Sequence, residues 1–171
     1  MNGVPLHPMV VHFPIALVVL LPLVALGALL LIRRGAAARR TWTVPVVFAA
    51  ALAASSWVAL QTGEQEEDRV EAVVSEAAIH AHEEAGERFL VLSGVLFAVA
   101  VAGLIGGTVG TAARLASTVG AAALIVAGVQ VGHAGGELVY RHGAAAAYVD
   151  GNAVNVPMEA ASRAEHDDDE G

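Results

Sequence analysis

The sequence predicts an all-α fold, a four-helix transmembrane bundle, and three observations predict it. Four stretches are apolar over about 20 residues, the length at which a helix crosses a bilayer core of about 30 Å. The chain is 56% hydrophobic and only 15% charged, against about 25% charged in an average soluble domain. Its charges are gathered in the connections and at the C-terminus, and its mean hydropathy is +0.63.

The first span covers about 10–32. It carries no charge, and Pro14 and Pro22 are expected to bend it. A cleaved leader peptide is a competing reading, but no basic segment precedes the apolar run and the run is too long for one. The second span covers about 43–60, with Trp42 and Trp57 placed near its ends as interfacial anchors would be. The third covers about 89–109 and the fourth about 115–136, its helix continuing toward Tyr140. Between spans two and three, Val70, Val73, Val74 and Ala77 recur at helical spacing, so the Glu- and Ala-rich stretch from Thr62 to Arg88 is expected to form an amphipathic extracytoplasmic helix. Residues 1–143 make one membrane domain. Residues 144–171 form a polar tail ending in an acidic run, expected to be disordered.

The connections set a direction. Arg33, Arg34, Arg39, Arg40 and Arg114 lie on one side with no acid among them. All 17 acids lie on the other, with the remaining four arginines. The positive-inside rule therefore places both termini and the long middle connection outside the cytoplasm. The net charge of −8 is the sum of these two opposite patches and does not point to nucleic-acid binding. The absence of cysteine excludes disulfides, iron–sulfur clusters, thiolate zinc sites and covalently attached haem. There is no nucleophile elbow, phosphate-binding loop, dinucleotide fingerprint or metalloprotease motif.

All seven histidines fall on the acidic side: His7, His12, His80, His82, His133, His142 and His166. Imidazole near membrane depth is rare and is functional by default, and its neutral form is a common metal ligand. His12 and His133 stand near one level and are expected to face each other inside the bundle. His82 and His142 stand about a helical turn or two further out, as a second pair. His80 and His82 are two apart and point to opposite sides of a helix, so only one can face inward; His82 is preferred. His7 reads as a cap to the first helix and His166 as part of a solvated charge run. Gly128, Gly132 and Gly136 recur every four residues beside Gly135, a stripe that admits a neighbouring backbone or a flat cofactor. Glu137, four residues after His133, is placed to orient that ring, and Arg141 to meet a propionate or an acidic helix.

The segments His7-Pro8-Met9-Val10-Val11-His12-Phe13-Pro14 and Gly132-His133-Ala134-Gly135-Gly136-Glu137 through Arg141-His142-Gly143 resemble the bacterial domain-of-unknown-function 2231 family of small four-span membrane proteins. Thr62-Gly63 and His82-Glu83 are similar to it as well. The resemblance covers about Pro5 to Gly143, and the family's recurrent histidines match His7, His12, His82, His133 and His142. It implies a multi-pass protein of the bacterial cytoplasmic (inner) membrane. Relatives joined to Rieske or cytochrome c modules imply a redox partner of that kind.

Two functional readings follow. The first is a b-type cytochrome-like electron-transfer subunit. It would hold haem b through His12, His133, His82 and His142 near Gly132, Gly136 and Arg141. The second is a non-haem membrane protein binding Cu or Zn through the same histidines; a structural or assembly protein without a cofactor is the remaining possibility. Each is an electron-transfer or binding role rather than that of a stand-alone enzyme.

Overall fold

The computed structural model describes residues 6–148. Six helices follow in order: α1 His7–Val10, α2 His12–Arg33, α3 Ala38–Glu64, α4 Glu67–Val70, α5 Glu76–Ala102 and α6 Gly107–Tyr140, closed by a 3-10 turn over Ala144–Tyr148. Four segments are long and apolar enough to cross a membrane: His7–Arg33, Ala38–Glu64, Glu76–Ala102 and Gly107–Tyr140. Among the described residues there is no strand. The break between α1 and α2 falls at Val11, which keeps helical dihedrals. Pro14 explains it, because a proline there has no N–H for the Val10 carbonyl one turn back.

Short connections make α2 antiparallel to α3 and α5 antiparallel to α6. The spans pack as a closed ring, α2 on α3, α3 on α5, α5 on α6 and α6 back on α2. The core is small and apolar. Val18, Leu21, Ala49, Leu52, Phe89, Leu96, Ala100, Ala121 and Leu124 are buried together. Ser56, Ser93 and Ser117 are buried too, and each hydroxyl donates to the carbonyl one turn back in its own helix, at 2.7, 2.8 and 2.7 Å. Lipid is as apolar as leucine, so helices associate in it by close contact, which alanine and serine permit. The larger side chains, such as Leu23, Val47, Val95 and Val119, lie outward and exposed, as a lipid-facing surface requires.

At the arginine-rich end two expectations change. Trp42 is no interfacial anchor: it is fully buried, and its indole N–H donates to the Ala100 carbonyl at 2.9 Å. Trp57 is exposed. Arg114 is not a free loop charge either. It is buried and caps the end of α5, donating from Nε to the Gly103 carbonyl at 2.7 Å and from Nη2 to that of Ile105 at 3.2 Å. Helix C-termini leave such carbonyls without partners, and a cation suits their dipole. Arg33, Arg34, Arg39 and Arg40 remain exposed at this end. The third span also stops earlier than 109. The turn falls between Ala102 and Gly107, where Gly107 takes a φ of +74°.

At the acidic end the helices outrun the bilayer. α6 has 34 residues, about 51 Å at 1.5 Å per residue. The stretch from Thr62 to Arg88 divides among the end of α3, the short α4, a turn, and the beginning of α5. Val74, Ile79 and Ala144 are buried there, with Val70, Ala78 and Leu138 against them, as a second small core above the membrane-length part. The first residues of the expected tail, Ala144–Tyr148, thus belong to the packed structure. The rest of the tail, with His166, lies outside the described residues.

Candidate functional site

Two histidines meet at the acidic end, His7 at the start of α1 and His82 on α5. Their ring centroids are 6.0 Å apart with planes at 82°. His7 lies over the last turn of α3. Its Nδ1 is 2.8 Å from the Ala59 carbonyl oxygen and 3.4 Å from the Thr62 hydroxyl. A carbonyl oxygen only accepts, so Nδ1 carries the ring proton and donates it, and Nε2 keeps its lone pair. Gly63 makes room: a Cβ there would stand 3.3 Å from the imidazole.

His82 is held from the opposite side. It packs on α6 at Gly135, where a Cβ would stand 3.1 Å from its Cε1. Among the described residues its Nδ1 is buried with no hydrogen-bond partner. Nδ1 has no acceptor to donate to, so with the ring proton on Nε2 it offers a second lone pair. His7 has the arrangement of metal-ligating histidines, the non-ligating N–H given to a carbonyl that fixes tautomer and ring orientation. An acceptor nitrogen buried without a donor is also costly.

The segment carrying His7 is tied down by Glu66. One carboxylate oxygen accepts from the Leu6 N–H at 2.7 Å and from the His7 N–H at 3.3 Å. The other accepts from the Tyr148 hydroxyl. The Arg69 guanidinium lies 5.5 Å from the Tyr148 ring centroid. Burial first, and then the Glu66 carboxylate, push the Tyr148 phenol up to about 12, so it remains a proton donor at ordinary pH.

The other expected ligands are placed elsewhere. His12 is exposed, its Nδ1 3.3 Å from the Met9 carbonyl of the preceding α1. His133 is exposed over 74% of its side chain and stands 3.6 Å from Glu137. The expectation that these two face each other inside the bundle is therefore corrected. Gly135 faces His82 across the helix contact, and His133, two residues before it, is rotated about 200° away at about 100° per residue. His142 is exposed as well. Arg141 binds Glu137 on its own helix at 2.7 Å. Among the described residues nothing beyond their own helix backbone lies within 4 Å of a Cβ built on Gly132 or Gly136, while Gly128 packs against Phe89 and Val18.

His80 lies outside on α5, 3.6 Å from Glu76 and 3.4 Å from Glu83. It lines an open cleft of about 280 Å³ with Glu83, Glu84 and Glu87. Among the described residues no three His, Asp or Glu side chains are grouped to hold a metal ion. Reasoning from sequence passed over His7 as a helix cap, and Glu66 and Tyr148 altogether. The signal for His7 was in the motifs: His7, Thr62-Gly63, His82 and Gly135 come from four separate segments that resemble one family, and all four meet here.

The family described as a predicted membrane protein (DUF2231) matches residues 3–147. No curated protein and no solved structure matches the chain.

Proposed function

We propose, from the premise that the chain belongs to the DUF2231 family of predicted membrane proteins, that it is a metal-binding membrane protein holding one copper ion between His7 and His82. The observation that carries this reading is the pair itself: two imidazoles in contact, His7 with Nδ1 committed to a backbone carbonyl and Nε2 left as a lone pair, His82 with a buried Nδ1 that has no partner among the described residues. A metal bound at about 2.0–2.1 Å from each nitrogen sets two imidazole centres about 5–6 Å apart, and these stand 6.0 Å apart. Two nitrogens suit cuprous ion, which is content with two ligands. Structural zinc is almost always four-coordinate, and imidazole is a ligand that suits copper.

Haem, and with it electron transfer to a Rieske or cytochrome c partner, fits this packing less well. A porphyrin between the two rings has to part α1 and α3 from α5 and α6. Those helices are in contact one turn away, where a Cβ on Gly86 would stand 3.6 Å from Leu60. A bare ion needs no such separation.

The test is a titration of purified protein with cuprous ion against a chromophoric chelator. One ion per chain is expected, and His7→Ala or His82→Ala is expected to weaken binding at least about 100-fold. His12→Ala and His133→Ala should leave it unchanged. Wild-type protein that binds no copper, or binding indifferent to His7 and His82, overturns the reading. Sharp reduced-haem bands that depend on these two residues would put haem in the ion's place.

The same proposal places the pair outside the cytoplasm of a bacterial inner membrane, since the exposed arginines are retained inside. Alkaline phosphatase fused after Gly143 is expected to be active, and fused within Arg34–Arg39 inactive. The reverse pattern would turn the site to the cytoplasm.

A further inference from the structure

We propose that Glu66 is the positioning residue of this site, a strap whose carboxylate fastens the His7 segment and the chain after α6 to the end of α3 and so sets His7 against His82. The inference rests on the metal-binding reading above and adds to it the group that holds one ligand in place.

His7 is the first residue of a four-residue helix and has little to hold it from within. Its Leu6 N-cap offers no side-chain hydrogen bond, so the first N–H groups of α1 need a partner from elsewhere. Glu66, about 60 residues further along the chain, supplies it for both Leu6 and His7. A carboxylate at a helix N-terminus also meets the positive end of the peptide dipoles. Its second oxygen takes the Tyr148 hydroxyl, which brings the 3-10 turn after α6 over the same point. Tyr148 is held in turn by Arg69 over its ring.

Glu66 touches only the backbone of His7, so it is no ligand. It determines where the imidazole stands. A ligand on a loose terminus has to be ordered at each binding event, and that cost comes out of affinity. The strap meets the cost during folding. It also joins three parts of the chain at one carboxylate, the N-terminal segment, the α3–α4 corner and the residues following α6. Displacement of any of them moves His7.

The experiment uses the full chain in detergent or nanodiscs with Glu66→Ala, Glu66→Gln and Tyr148→Phe, and Glu71→Ala as an exposed control. Hydrogen exchange at the Leu6 and His7 amides is measured without metal, and cuprous ion affinity separately. In Glu66→Ala the two amides are expected to exchange about tenfold faster, the loss of a bond worth about 1.4 kcal/mol. Copper affinity should fall by about the same factor, with the thermal midpoint of the bundle unchanged. Glu66→Gln keeps one carbonyl acceptor and should restore most of both; Tyr148→Phe should show a smaller effect on both. Exchange and affinity that stay at wild-type values in Glu66→Ala, in a protein that binds copper through His7, overturn the strap and leave the metal reading intact. Faster exchange in a protein that binds no copper supports the strap and overturns the metal reading alone.

Discussion

Trp42→Ala is expected to destabilise the bundle by about 3–5 kcal/mol, the range for removing a large aromatic side chain from a packed interior. Trp42 is fully buried, among Ala25 and Ala28 of α2, with Leu29, Ile32 and Leu104 against that cluster. Its indole N–H donates to Ala100 on α5 at 2.9 Å. Gly103 is required beneath it, since a Cβ there would stand 2.2 Å from the indole nitrogen. The truncation therefore leaves a ring-sized void between three helices and removes the indole's hydrogen bond to α5. Unfolding by a denaturing detergent, followed by helical circular dichroism, measures the loss. Trp57→Ala is the matched control, because Trp57 is exposed over 57% of its surface. Equal stability of the two variants would contradict the placement of Trp42.

The same chemical change should have opposite signs at two glycines. Gly110→Ala puts a Cβ 1.7 Å from the Ile105 carbonyl oxygen and 2.7 Å from its carbon. Both are backbone atoms of the tight α5–α6 turn and cannot swing aside. The turn has to shift, and with it the bonds from Arg114 to the Gly103 and Ile105 carbonyls. A loss of about 3 kcal/mol is expected, at the upper end for overfilled cores. Gly27→Ala adds its methyl where, among the described residues, nothing beyond its own helix backbone lies within 4 Å, in the interior of α2. There the gain is about 0.5–1 kcal/mol, from the smaller backbone entropy lost on folding. The detergent-unfolding midpoints of the two variants should move in opposite directions. A Gly110→Ala protein as stable as wild type would mean that the turn is looser than the structure places it.

These predictions lie at the arginine-rich end, while the proposed site lies at the other. A metal site there would draw on a different resource. The histidines occupy the end where the helices rise above the membrane core and backbone carbonyls such as that of Ala59 are within reach of side chains. The rigid lower bundle then serves as a base that fixes the relative rotation of α3, α5 and α6, and Glu66 fixes the one ligand that the bundle does not.

The four spans were legible in the sequence because lipid is an undemanding solvent with one strict rule. A helix must keep about 20 residues apolar to cross it, and that rule leaves its mark in local composition. The gathering of every described histidine at one end was legible for the same reason, since depth follows from distance along the chain. The direction each histidine faces was not. His12 and His133 face outward, because the rotation of a lipid-facing helix is set by which small residues meet across the contact, and apolar residues surround it on all sides. The sequence by itself determined the number of spans, their antiparallel order, the charge asymmetry and the membership of the family. Only the tertiary structure decided that Gly135 rather than Gly132 or Gly136 faces a ring, that Trp42 and Arg114 turn inward to close the arginine-rich end, and that His7 rather than His12 stands against His82. Each of those outcomes depends on a contact between segments far apart in the chain, and no local pattern records the angle at which two helices meet.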